Sequence, residues 1–266
     1  MSSEFNFFQP RAEGASLVKS TLTKRAIGAV VTAIEDAWSQ IETFRYQKST
    51  PFSPSDLHDE DKLTTKLAEI LNHRLDNQPL GYFSGDRFQT IVRDGKQTTA
   101  NKSSIDQMPD LTVRMMKAAP GESRDEAALF VEAKLVDNNS GCSQYVLNGL
   151  HRFVAGKYAP QMSVGLMLGY CTANYAEVHI QLPNYFKKAK SAEAQRCAAL
   201  LLPSKAHKAC YDSEHTRDHP CAPDFRAMHL WLVRPLPTSG VPMPIAPTPP
   251  EDDVAIQSYR AKVAES

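Results

Sequence analysis

The sequence predicts an α/β protein in which helices flank a sheet. Three observations carry that reading. Leu63, Leu67, Ile70 and Leu71 recur at helical spacing ahead of a set of strand-like runs. A second helical stripe, Val146, Leu150, Phe153 and Val154, separates those runs from Ser163–Cys171, a nearly continuous apolar segment. Turn signals at Asp94-Gly95, Pro120-Gly121 and Asn138–Gly141 fall between the runs. The resulting order is helix, three strands, helix, strand.

At 266 residues the chain suits one large domain with additions and can bury an ample core. Its 30 basic and 30 acidic residues balance, so any contact with nucleic acid must come from a local patch. No apolar run reaches the roughly 18 residues of a membrane helix, and the start, MSSEFNFFQPRAEG, lacks a charged-then-apolar leader pattern. Five cysteines without regular spacing agree with reduced thiols. The expectation is a soluble, cytoplasmic protein.

Residues 1–16 read as irregular. Leu17–Tyr46 reads as a helix with a break at Gly28, because Ile34, Trp38, Ile41 and Phe44 recur at helical spacing. The expected organisation is therefore an N-terminal helical extension (1–54), a core domain (55–234) and a tail (235–266). Residues 48–56 form a loop rich in serine and proline. Ser55 or Asp56 caps the next helix, which extends to about Leu75. Gly81–Val92 should include the first strand, with Phe88, Thr90 and Val92 alternating, and 96–106 is a polar loop or short helix in which Lys96 and Lys102 can touch phosphate or simply keep the surface solvated. Leu111–Met115 and Ala127–Val136 are two strands joined across Pro120-Gly121. Gln144–Tyr158 reads as a helix ended by Pro160, and Ser163–Cys171 as a buried central strand. Helices follow over 175–190, bent at Pro183, and over 192–202.

His207, Cys210, His215, His219 and Cys221 are residue types that suit Zn²⁺, but their spacing fits no zinc pattern. The plainer reading of that region is a polar loop, Asp212–Pro220, leading into a strand over Arg226–Val233. His215 or Arg217 can also reach substrate from the loop. Seven of the sixteen residues from Pro235 to Pro250 are proline, which reads as an extended linker before a short terminal helix or disordered end.

The residues that carry chemistry sit on the two central strands. Glu132 and Lys134 are two positions apart, so they project from one face of an otherwise apolar strand. Charges there are costly without partners, and Asp110, opening the preceding strand, is the nearest candidate. Two carboxylates with backbone carbonyls make a hard oxygen site suited to Mg²⁺. Lys134 can then orient a metal-bound water or stabilise charge developing on phosphorus. The bland alternative is a buried salt bridge that serves only the fold.

Pro109-Asp110, a hairpin-length gap and Glu132-Ala133-Lys134 inside a hydrophobic strand resemble the PD-(D/E)xK nuclease superfamily. The likeness covers about residues 55–172. It implies a restriction-endonuclease-like core, a central mixed sheet of four to five strands flanked by helices, and metal-dependent cleavage of phosphodiester bonds, usually in DNA. Asp110 and Glu132 would hold Mg²⁺ or Mn²⁺ with the Ala133 carbonyl, and Lys134 would activate the attacking water. Members commonly add an acid from the first helix. On a wheel of about 100° per residue from Leu63, Glu60 falls near 60°, inside the apolar arc, and Glu69 near 240°, opposite it. Glu60 is thus the choice, although acids at a helix start also complement the macrodipole. Some branches place a glutamine beside the lysine, which maps to Gln144. His151, Arg152 and Lys157 on the same helix can meet the phosphate backbone, or form a solvated face. Expected partners are DNA, with RNA as the alternative, and a second copy or larger complex. Phage defence and mobile elements are contexts for such a nuclease. A catalytically silent binding or scaffold subunit is the rival, but degenerate members typically lose the lysine or an acid, and this chain keeps Asp110, Glu132 and Lys134.

Overall fold

The computed structural model describes residues 22–43, 52–94, 108–118, 128–157, 162–172, 182, 185, 201–217 and 224–234. All of them belong to one compact unit, Met1–Leu236. The readings made for 1–16, for Lys96 and Lys102, for nearly all of 175–200, for His219 and Cys221, and for the proline-rich segment and tail lie outside the described residues.

A mixed seven-stranded sheet forms the centre: β1 (Val92–Arg93), β2 (Leu111–Arg114), β3 (Ala128–Val136), β4 (Val164–Cys171), β5 (Leu202–Pro203), β6 (Cys210–Thr216) and β7 (Asp224–Val233), in the order β1-β2-β3-β4-β7-β6-β5. β1, β2 and β3 pair antiparallel, β3, β4 and β7 run parallel, and β7, β6 and β5 return to antiparallel. Among the described residues the sheet has seven strands, which corrects the expectation of four to five. β6 escaped the sequence reading because its inward side chains are polar. Asp212, Ser213 and His215 are buried, with Arg226 and His229 of β7 as partners, so no apolar alternation marks the strand. β5 lies where a helix was expected to end.

The first strand is also shorter than expected. Ile91 gives its backbone N–H to Asn72 Oδ1 (2.7 Å), and its carbonyl accepts from Asn72 Nδ2 (3.1 Å), so a helix side chain takes the place of a neighbouring strand. Before it, Leu80 and Phe83 close a tight turn, and Phe88 makes only a single bridge to Met115.

Helix α1 (Lys24–Glu42) is capped by Thr23, whose Oγ1 accepts from the Ala26 N–H, and it runs unbroken through Gly28. Its Ile27, Val30, Ile34, Trp38 and Ile41 are buried in the common core. Trp38 stacks on Tyr170 of β4 and donates from Nε1 to the Val233 carbonyl. Helix α2 (Glu60–Asn77) begins later than expected. Asp59 is its cap, accepting from the Lys62 N–H, while Ser53 and Asp56 close a separate 3-10 turn over Pro54–His58. Leu63, Leu67, Ile70 and Leu71 all face the core.

The helix expected over 144–158 begins earlier. Asn138 caps it through the Gly141 N–H, and α3 (Asn139–Gln144) passes through a π-helical turn (Tyr145–Leu150) into α4 (His151–Val154). Asn138–Gly141 is therefore the cap and first turn of a helix, not an independent turn. β4, buried along its full length, runs between β3 and β7. Gly169 on it is required by packing, because a Cβ there would sit 2.3 Å from the Trp231 ring.

Candidate functional site

The site forms where β2 stops and β3 continues. The β2–β3 register pairs Leu111 with Val131, so Asp110 arrives opposite Glu132 one step beyond the ladder. From there, among the described residues, β3 has a strand partner only in β4, and two of its N–H groups on the other edge need acceptors. Side-chain carboxylates supply them. Asp110 Oδ2 accepts from the Ala133 N–H at 2.7 Å, and Glu60 Oε2 accepts from the Leu135 N–H at 3.0 Å. Glu60 can do this because it is the first residue of α2, whose start lies against the open edge of β3.

These two carboxylates and Glu132 converge on one ammonium. Lys134 Nζ lies 2.8 Å from Glu60 Oε1, 3.0 Å from Glu132 Oε1 and 3.7 Å from Asp110 Oδ2, and it donates to the Ala133 carbonyl at 2.5 Å. Arg152 Nη1 approaches Glu132 Oε1 from α4 at 3.0 Å. Three carboxyls thus face two cations. Glu132 is 0 % exposed, and its second oxygen, Oε2, has no hydrogen-bond partner among the described residues.

Burial, and then the neighbouring Asp110 charge, push the Glu132 carboxyl up to about 7, with Lys134 and Arg152 opposing. Burial likewise raises Asp110, against the pull of Lys134 and the Ala133 N–H. For Lys134 burial works against the charged form, but Glu132, Asp110 and Glu60 together outweigh it and hold the ammonium firmly protonated.

The covering element is the π turn. A Cβ on Gly149 would lie 2.6 Å from Met167 Cε and 3.5 Å from the Cγ atoms of both Glu132 and Lys134. Gly149 therefore lets the helix press directly onto the stems of the two strand residues. π turns recur at functional sites, but the pattern of apolar residues carries no signal for one.

Of the residues expected on the helix, Gln144 is exposed, and its side-chain oxygen accepts from Asn148 rather than from the lysine cluster. Lys157 is exposed just past α4, after Gly156 has turned the chain at φ +67°. Arg152 is joined to Glu132, a partner the sequence reading did not assign. Glu69 is not a free surface acid. It pairs at 2.9 Å with Lys66, which is 1 % exposed.

Two carboxylates, Asp110 and Glu132, with the Ala133 carbonyl are the donors present for a hard divalent cation, which takes its remaining ligands from water. The uncommitted Oε2 of Glu132 fits that use. Among the described residues no group of three or more His, Cys, Asp or Glu is arranged to hold a metal ion. The zinc reading fares no better in geometry: His207 turns to Thr32 and Glu35 on α1, Cys210 is buried, and His215 bonds Ser213 within β6.

No helix among the described residues is long and apolar enough to cross a membrane. No protein-family model, no curated protein and no solved structure matches the chain.

Proposed function

We propose that the chain is a metal-dependent nuclease that hydrolyses DNA phosphodiester bonds, on a restriction-endonuclease-like core. The observation that supports this best is the convergence of Glu60, Asp110 and Glu132 on Lys134 at a break in the sheet edge. A purely structural ion pair does not need three acids and an orphaned carboxylate oxygen. Asp110, Glu132 and the Ala133 carbonyl would hold Mg²⁺ or Mn²⁺. The bound cation would supply Lewis-acid polarisation of the scissile phosphate and a more acidic water.

The protein's own groups do the rest. Asp110 and Glu60 are fixed by the Ala133 and Leu135 N–H groups, so their orientation is set before substrate arrives. Lys134, always charged, orients water through its N–H groups and stabilises negative charge developing on phosphate oxygens. The helix end bearing Arg152 supplies a second cation for a phosphate, once Glu132 is engaged elsewhere.

The rival is a catalytically silent nucleic-acid-binding or scaffold subunit. One observation favours it: Glu60, Asp110 and Glu132 already have an internal cation or N–H within reach. Incubating purified protein with circular and linear DNA, single-stranded DNA and RNA, with and without Mg²⁺, separates the readings. Mg²⁺-dependent cleavage of DNA that disappears in Lys134→Ala supports the nuclease. Cleavage confined to RNA redirects the substrate. Binding without cleavage under every condition supports the silent subunit.

A further inference from the structure

We propose that Arg234 is a positioning residue for this site, holding the start of α2 against the end of β3 and thereby fixing Glu60 on Lys134 and Leu135. In its relevance to catalysis this rests on the reading of Glu60 as a site residue.

Arg234 follows β7 and is 2 % exposed. The parallel registers align Val136, Cys171 and Val233 side by side at the ends of β3, β4 and β7. One step on, the Arg234 N–H donates to the Cys171 carbonyl at 2.7 Å, which anchors its backbone to the sheet. Its guanidinium then reaches in two directions. Nη2 donates to Asp137 Oδ1, at the residue immediately after β3. Nη1 donates to the Leu57 carbonyl at 2.5 Å and lies 3.1 Å from His58 Nδ1, in the turn that leads directly into Asp59 and Glu60.

The two segments it joins are the two that must stay in register for the site. Asp137 is three residues beyond Lys134, and Leu57 is three residues before Glu60. A buried guanidinium is costly unless its hydrogen bonds are well made, and its planar fork suits a link between two fixed acceptors. Burial lowers the Arg234 pKa from its usual value, in keeping with a group enclosed between elements. From the other side, Arg93 of β1 donates to the Asp61 carbonyl at 3.0 Å and to Thr65, so one arginine holds the turn entering α2 and another holds its first turns.

The Leu135 amide reports on this link directly, because its hydrogen bond on that edge is to Glu60 Oε2. In Arg234→Met its hydrogen exchange should accelerate at least about tenfold. The Ala133 amide, bonded to Asp110, should not change. Glu60→Ala should accelerate Leu135 as well, and the double variant with Arg234→Met should exchange no faster than Glu60→Ala alone, since both changes remove one contact. A folded Arg234→Met protein with unchanged Leu135 exchange overturns the proposal, as does an additive double variant. If Arg234→Met does not fold, Asp137→Asn, which weakens only one arm, is read by the same criterion. A parallel Mn²⁺ titration separates this from the nuclease reading. Weaker Mn²⁺ binding in Arg234→Met, by a factor similar to that in Glu60→Gln, supports both. A wild-type protein that binds no Mn²⁺ defeats the metal reading, while Leu135 exchange still decides the role of Arg234.

Discussion

A carboxylate without solvent exposure ionises only as far as its neighbours offset the lost hydration, and at Glu132 they do so in part. Its value of about 7 places the change of charge within the working range of most enzymes. A cation and a proton compete for that oxygen. The Mg²⁺ concentration for half-maximal activity is therefore expected to fall about tenfold between pH 6 and pH 8, following the ionised fraction of Glu132. A flat metal requirement over that range would mean Glu132 is not a ligand. The same residue shapes the response to losing Lys134. Removing the ammonium from a buried pair ordinarily costs about 3–5 kcal/mol, but Glu132 can take a proton instead. The folded form gains that proton more readily than the unfolded chain, so stability is present at low pH and is lost as pH rises through the raised folded value. Lys134→Ala should consequently be inactive, near wild-type stability at pH 5.5, and clearly destabilised at pH 8.5 in denaturant titrations. The two helix acids respond differently. Glu60→Gln should lose most activity and raise the metal requirement. Glu69→Gln should keep activity and cost about 1 kcal/mol, because it weakens one charge-assisted hydrogen bond to the buried Lys66.

At the scale of elements, the π turn is the contact most sensitive to a small change. Gly149→Ala gains up to about 1 kcal/mol of helix propensity but drives a methyl into Met167 Cε. It should destabilise the wild-type protein by about 1–2 kcal/mol and be neutral or better in a Met167→Ala background, which a double-mutant cycle would measure. Which elements could be read from the sequence follows from the same kind of packing. α2 is legible from its helical period and β2, β3 and β4 from alternating or continuous apolar runs bounded by turn signals, and the phase of Leu63, Leu67, Ile70 and Leu71 also puts Glu60 toward β3. β6 is illegible because Asp212, Ser213 and His215 are buried among polar partners, Arg226 and His229 of β7 and Ser213 itself for His215, and leave no apolar trace. β1 shrinks because one amide, Asn72, takes over the backbone groups of Ile91, a long-range choice that no local pattern announces. The pairing of Arg152 with Glu132 is hidden for the same reason, since twenty residues and a π turn separate them.

Across the whole molecule, a buried polar chain links the helix that covers the site to β7 and β6. Tyr145 Oη lies 2.8 Å from His229 Nδ1, His229 Nε2 lies 2.8 Å from Ser213 Oγ, and Ser213 Oγ lies 2.6 Å from His215 Nε2. Burial holds His229 and His215 down to about 3, with His215 adding to it at His229 and Arg217 adding to it at His215, so both rings are neutral in the folded protein. The unfolded chain protonates them near 6.5, so it binds more protons between about 3 and 6.5. Their contribution is fully present above that window and is lost as pH falls through it, at about 1.4 kcal/mol per histidine per pH unit. Glu132 works in the opposite sense, stabilising the fold as pH falls from about 7 toward 4.5. Between pH 7.5 and pH 5.5 Glu132 should offset roughly two thirds of what the two histidines lose in the wild-type protein. Glu132→Gln removes that offset. That variant is expected to lose on the order of 2–3 kcal/mol between pH 7.5 and pH 5.5 in denaturant titrations, whereas the wild type changes far less. If the two proteins show the same pH dependence, either the histidines are not held neutral or Glu132 does not carry a raised value. Repeating the comparison with His215→Gln in the Glu132→Gln background tells which, because only the first cause makes that substitution silent.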